Sequence, residues 1–246
     1  MTTQALRSRS VGELVDATFT LYRKDTAAYV SVGALAGTPG LIVQLFWSNE
    51  AGYESLTAAL FASLITVVTY SLMTGVIIRV GSDVYLGGSA DIQRALRAVW
   101  PKVGTLIAVS IMKAILLFLG ALLLLVGFFY AGSRWFAPEA VCILENTDSS
   151  KAFARCTNLS EGRKWHIFRT LLLGYGIYIL LMIGIAAIAA MFGGYVVTTL
   201  TQTVFTVVAY PTIALLTMLL YYDARIRGEG FDVEHLASSL GSAGTR

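Results

Sequence analysis

TLLLGYGIYILLMIGIAAIAAMFGGYVVTTLTQTVFTVVAYPTIALLTMLLYY, residues 170–222, runs for 53 residues without a charged side chain, and Gly193-Gly194 stands near its middle. A helix rises about 1.5 Å per residue and a bilayer core is about 30 Å thick, so roughly 20 apolar residues cross it once. The stretch reads as two membrane-crossing helices joined at the glycine pair. The rest of the 246-residue chain is of the same kind: 56% of it is hydrophobic and 13% charged, where soluble domains carry about 25% charged residues. Residues 1–234 are expected to form one all-α membrane domain, with 235–246 a flexible cytoplasmic tail. The first 25 residues are polar and charged. No short apolar core precedes a small-residue cleavage site there, so the first span is expected to act as its own insertion signal.

Other uncharged stretches supply the remaining spans. Thr26 to Asn49 holds the first, over 27–47, with Gly33, Gly37, Pro39 and Gly40 crowding its middle. Gly33 and Gly37 form a small-xxx-small step that admits a second helix, either from the same bundle or from a second copy. Pro39 marks a kink or weak point. The second span covers 56–80, after a connection carrying Glu50 and Glu54. Residues 103–144 read as one span or as two turning near Gly127. Charge decides between them. Two spans here give six in all and put all but two of the 18 Lys and Arg residues on one face, as the positive-inside rule requires. The exceptions, Lys113 and Arg134, fall within spans. The expected spans are therefore 27–47, 56–80, 103–126, 128–144, 167–192 and 196–222. Both termini are cytoplasmic in a bacterial inner membrane.

Three polar connections carry helical periodicity. Ser10-Val-Gly-Glu13 is a capping box. Val11, Leu14, Val15, Phe19 and Tyr22 then form one apolar stripe, ending at Arg23 and Lys24. Ser89 opens a second segment, with Ile92, Leu96, Val99 and Trp100 on one side and Arg94 and Arg97 on the other. A third begins near Asp148 or Ser149, carries Ala152, Phe153, Cys156 and Leu159, and ends at Gly162. Each is too short to span. Each is amphipathic enough either to lie in the interface or to cover the base of the bundle. Arg94, Arg97, Arg155, Arg163, Lys164 and Trp165 are the candidate contacts to anionic headgroups. The order of one capped helix followed by two spans recurs three times and implies three parallel repeats.

The third segment and the later part of the chain carry the most distinctive text. Leu124-Leu-Val-Gly127, Arg134 and Ile143-Leu-Glu145 precede Ala152-x-x-Arg155-Cys-x-x-Leu159-x-x-Gly162-x-x-Trp165-x-Ile-Phe168. Later comes Tyr221-Tyr-Asp223-Ala-Arg225-Ile-Arg227-Gly-Glu229-Gly-Phe231-Asp232. This resembles the membrane domain at the amino end of some bacterial glycerophosphodiester phosphodiesterases and the related stand-alone YciC-like membrane proteins. Cys156 stands where a serine is common there, and Val126-Gly127 where a proline-glycine turn is common. The resemblance implies a six-helix membrane domain of poorly defined activity; it does not imply phosphodiesterase catalysis, which in such enzymes belongs to a separate barrel of about 250 residues.

Chemistry is sparse. Cys142 and Cys156 match no metal or redox spacing and are expected as reduced thiols. His166 lies beside Lys164 and Trp165 at the expected headgroup level, and His235 lies in the tail. No nucleophile elbow, zinc-protease helix or phosphate loop appears. Gly87-Gly88-Ser89 reads as a turn with a serine cap rather than an anion cradle. No cofactor, metal or nucleic-acid partner is expected.

The intramembrane charges Lys113, Arg134 and Glu139 are the candidate polar group, each costing about 2.5–3.5 kcal/mol if it faced lipid. Lys113 stands 14 residues before Gly127 and Glu139 stands 12 after it. At about 1.5 Å per residue they differ in depth by only about 3 Å and are placed to pair, while Arg134 is placed to snorkel outward. Such a pair either locks two helices or belongs to a polar path. Asp223 and Arg227 read as a surface pair, with Gly228 or Gly230 ending the last helix. Two functional readings follow. The first is a non-enzymatic scaffold meeting lipids or unknown membrane-protein partners; the second is a small transporter or channel component. An intramembrane hydrolase ranks last.

Overall fold

A computed structural model describes residues 7–47, 56–122 and 124–231, and all regular structure in them is helical. The helices are α1 (Val11–Lys24), α2 (Thr26–Trp47), α3 (Leu56–Tyr85), α4 (Ile92–Val99), α5 (Val103–Leu122), α6 (Leu124–Arg134), α7 (Pro138–Leu144), α8 (Ser149–Ser160), α9 (Lys164–Phe192) and α10 (Tyr195–Glu229). Four stretches are long and apolar enough to cross a membrane: 63–85, 92–122, 164–191 and 196–229. The acidic connection with Glu50 and Glu54, the 235–246 tail and His235 lie outside the described residues.

Local chemistry sets the helix ends. Ser10 and Glu13 form the expected capping box at the start of α1. Hydrogen bonds from the Ser10 backbone and hydroxyl, and from Arg7, hold the Glu13 carboxyl down at about 2. The second amphipathic helix is capped by Asp91, two residues later than the expected Ser89, because the Asp91 carboxylate accepts from the Arg94 amide. It runs through a 3-10 turn at Trp100–Lys102 straight into α5. Asp148 caps α8. Gly162 (φ 72°) and Gly230 (φ 65°) adopt the left-handed conformation after α8 and α10, where a side chain is disfavoured.

One expected span is corrected. Residues 128–144 are not a continuous helix, and Gly127 lies inside α6 instead of at a turn. The first leg ends at Leu122, and the return leg breaks between Arg134 and Pro138. Proline has no amide hydrogen and disfavours helical backbone in the residue before it; Ala137 accordingly sits at φ −144°, ψ 45°. Irregular backbone at membrane depth is tolerated only where protein covers it. Phe136 and Ala137 are almost inaccessible.

The core lies toward one end. Buried residues gather in 73–85 of α3, 136–143 around α7 and 214–226 of α10. The buried stripes of α1 (Leu14, Leu21), α4 (Ala95, Val99) and α8 (Ala152, Cys156) close over the same end, which also carries the basic side chains and is called the basic end below. Pro39 sits within α2 without dividing it.

The Gly33–Gly37 step is used inside the bundle, against α10. A β-carbon on Gly33 would stand 2.2 Å from the Val207 carbonyl oxygen, and one on Gly37 2.9 Å from a Val207 methyl. Val207 is four residues before Pro211, which has no amide hydrogen to offer that carbonyl. The Tyr22 hydroxyl donates to the next carbonyl, that of Val208, at 2.9 Å. The weak point of α10 is thus braced by α1 and α2. Gly33→Ala is expected to cost about 1–3 kcal/mol in a reversible detergent-unfolding assay, since backbone must move to admit the methyl. Gly184→Ala, with nothing within 4 Å of the added carbon, is expected to be neutral or to gain up to about 1 kcal/mol from helix propensity.

Candidate functional site

Lys113 stands ten residues into α5, about 15 Å along it. Its ammonium donates to both Glu139 oxygens at 2.9 Å. Glu139 lies in the first turn of α7, just past the break, and its side chain is 13% exposed against 21% for Lys113. The two expected partners do meet, although the turn and the return helix differ from expectation. Lys102, at the start of the same leg, donates to the Cys142 carbonyl at 3.1 Å, near the end of α7. Two lysines from one helix thus hold both ends of a two-turn segment.

Arg134 does not join them. It ends α6, where its guanidinium donates to the Tyr130 hydroxyl at 3.0 Å and to Thr157 of α8 at 3.4 Å. It also lies over the Trp135 ring at 5.6 Å. The expectation of an outward-snorkelling Arg134 fails because the leg turns before Gly127, which carries Arg134 back toward α8.

A cavity of about 420 Å³ opens beside the ion pair. Hydroxyls line it: Thr66, Tyr70 and Thr74 at four-residue spacing on α3, Ser110 on α5, Tyr175 on α9 and Tyr210 on α10. Thr74 and Tyr210 hydrogen-bond across it. Ser71 donates to Ser110 at 2.8 Å, and Tyr70 meets Tyr210 edge to face at 4.9 Å. Ile111, Ile115 and Ile213 complete the wall. The lining is therefore part ionic, part hydroxylic and part aliphatic.

In the expected surface pair at the end of α10, Arg227 is exposed but Asp223 is buried. Asp223 is 3% exposed; its carboxylate accepts from the Arg9 amide and the Arg227 guanidinium, each at 2.7 Å, and His166 Nε2 lies 3.2 Å away. Its neighbours extend the clamp. Tyr221 donates to Glu145 at 2.9 Å, Tyr222 pairs with Ser82 at 2.7 Å, and Glu229 meets Arg155 and Arg225. Sequence reading missed this because the Arg9–Asp223 contact joins residues 214 apart.

The candidate headgroup contacts divide. Arg94, Arg97 and Trp165 are exposed. Arg155 is not free: it bridges Glu145 and Glu229, whose hydrogen bonds raise its affinity for the proton. Lys164 donates to the Tyr130 hydroxyl at 3.3 Å. Arg163 reaches three backbone carbonyls, those of Leu159, Glu161 and Arg227. Both cysteines are free and buried, and burial pushes the Cys156 thiol up to about 12. Among the described residues, no three His, Cys, Asp or Glu side chains group as metal ligands.

Comparison with protein-family models, curated proteins and solved structures finds no match.

The ion pair sets a stability test. Glu139→Leu leaves the Lys113 ammonium uncompensated and is expected to cost about 3–5 kcal/mol in the detergent-unfolding assay. Adding Lys113→Met is expected to restore most of that loss, because an apolar pair of similar volume needs no partner.

Proposed function

We propose that this chain is a non-enzymatic, multi-pass membrane domain that holds an amphiphile in the cavity above Lys113 and Glu139. The arrangement proposed is six crossings, with α6 and α7 together making the fourth, and both termini on the cytoplasmic side. Three capped amphipathic helices, α1, α4 and α8, each precede a pair of crossings. The basic end faces the cytoplasm on the positive-inside rule. The family resemblance carried by Ile143-Leu-Glu145 and by the Tyr-Asp-Arg ending supports such a domain and adds no catalysis.

One observation carries the reading. The cavity combines a bidentate ion pair and at least six hydroxyl side chains with aliphatic side chains, beside the start of α7 where the return leg is broken. Discontinuous helices at the midplane are a recurrent setting for binding sites. A wholly polar solute leaves Ile111, Ile115 and Ile213 unsatisfied, and an aliphatic chain wastes the hydroxyls. A molecule with a polar head and an apolar tail matches both surfaces.

Extraction in mild detergent followed by mass spectrometry of the bound lipid tests this. Wild type is expected to retain about one amphiphile per chain, and Lys113→Met/Glu139→Leu, stable by the reasoning above, is expected to lose it. Equal retention in both proteins removes the proposal. The hydroxyl ladder of Thr66, Tyr70 and Thr74 favours a second reading, a solute path. That reading requires flux into proteoliposomes that Glu139→Gln changes. Orientation has its own check. A single cysteine replacing Lys151, whose side chain is 76% exposed, is expected to react with impermeant maleimide only after the cytoplasmic side is opened.

A further inference from the structure

A second cavity, of about 680 Å³, lies at the basic end, well away from the Lys113–Glu139 pair. Arg7 and Ser8 from the segment before α1, Arg163 before α9, Trp165, His166 and Arg169 in its first turns, and Arg227 of α10 line it. The charges do not balance. Arg7 pairs with Glu13, and Arg227 pairs with Asp223. The contacts made by Arg163 and Arg169 are of another kind. Arg163 donates to the Arg227 carbonyl at 3.0 Å and more distantly to two others at the end of α8. Arg169 donates to the Trp165 carbonyl at 3.4 Å and lies 5.6 Å over the Trp165 ring. Four guanidiniums thus face two carboxylates, an excess of two positive charges among the described residues.

Arg163 is also pre-positioned. Its carbonyl contacts fix the guanidinium without neutralising it. His166 adds a buried Nε2 that makes no hydrogen bond of good geometry. Fixed, planar, uncompensated guanidiniums match phosphate oxygens in pairs. Trp165, 65% exposed beside the apolar face of α9, sits where an indole anchors at a membrane surface.

We infer that the cleft between the segment before α1, the start of α9 and the end of α10 binds a phosphate group, with Arg163 and Arg169 as its principal donors. Basic pockets between helices on the cytoplasmic side are a recurrent setting for lipid phosphate, and inorganic phosphate presents the same chemistry. The inference rests on the membrane placement of the basic end and not on the occupant of the other cavity.

Native mass spectrometry of the full chain, released from nanodiscs of mixed phosphatidylglycerol and phosphatidylcholine, tests the site. Phosphorus NMR line broadening with inorganic phosphate, in discs of phosphatidylcholine alone, supplies the second arm. Wild type is expected to retain the anionic lipid in preference. Arg169→Gln, which disturbs only a long contact to the Trp165 carbonyl and the stacking over the Trp165 ring, and Arg163→Gln are each expected to cut that preference about tenfold. Arg94→Gln/Arg97→Gln is expected to leave it unchanged. Should inorganic phosphate broaden in an Arg169-dependent way while lipid shows no preference, the phosphate site stands and its ligand is soluble. Absence of both signals, or a preference that survives Arg169→Gln and Arg163→Gln alike, overturns the inference. So does an equal loss on Arg94→Gln/Arg97→Gln, since general surface charge then accounts for the binding.

Discussion

Asp223 is a carboxylate with almost no access to solvent, and donors from separate parts of the chain converge on it. Burying a charge is costly unless it is paired and hydrogen-bonded. Here the Arg9 amide and the Arg227 guanidinium satisfy it, with the His166 ring beside it. That requirement fixes the segment before α1 against the end of α10 and the start of α9. Tyr221, Tyr222 and Glu229 then tie the same end of α10 to Glu145, to Ser82 of α3 and to Arg155 of α8. The packed end of the bundle is organised around one helix terminus.

The interior of the bundle obeys the same rule. A backbone break beside Pro138 would be untenable against lipid, and its Phe136 and Ala137 are buried by protein. The break in turn starts a fresh helix at the level where Glu139 is needed. Lys113 and Lys102 then hold the two ends of that helix, one at a side chain and one at a carbonyl.

Much of this was legible in the chain itself. Hydropathy and helical length located the apolar helices, because both act locally and without reference to partners. The Ser10–Glu13 box and Gly162 were readable for the same reason. The Lys113–Glu139 pair emerged from depth alone, even though the turn was misplaced from the stretch before Leu124 to Gly127. What stayed hidden was long-range or competitive. Asp223 looked solvent-exposed because its natural i+4 partner stands beside it, whereas its amide donor is Arg9. Arg155 looked like a headgroup contact because nothing local announces Glu229. The break before Pro138 stayed hidden because the charge rule that required a return span over 128–144 carries no information about its continuity.

The meeting of Gly33, Tyr22 and Pro211 has a mechanical consequence. Flexure in a long helix concentrates where its internal ladder lacks a rung, and in α10 that rung is missing between Val207 and Pro211. Beyond this point toward Tyr195 most side chains of α10 are half-buried or exposed, while behind it 214–224 are buried and end at the Asp223 clamp. With α2 seated directly on this point through Gly33, any flexure of α10 there would press against α2.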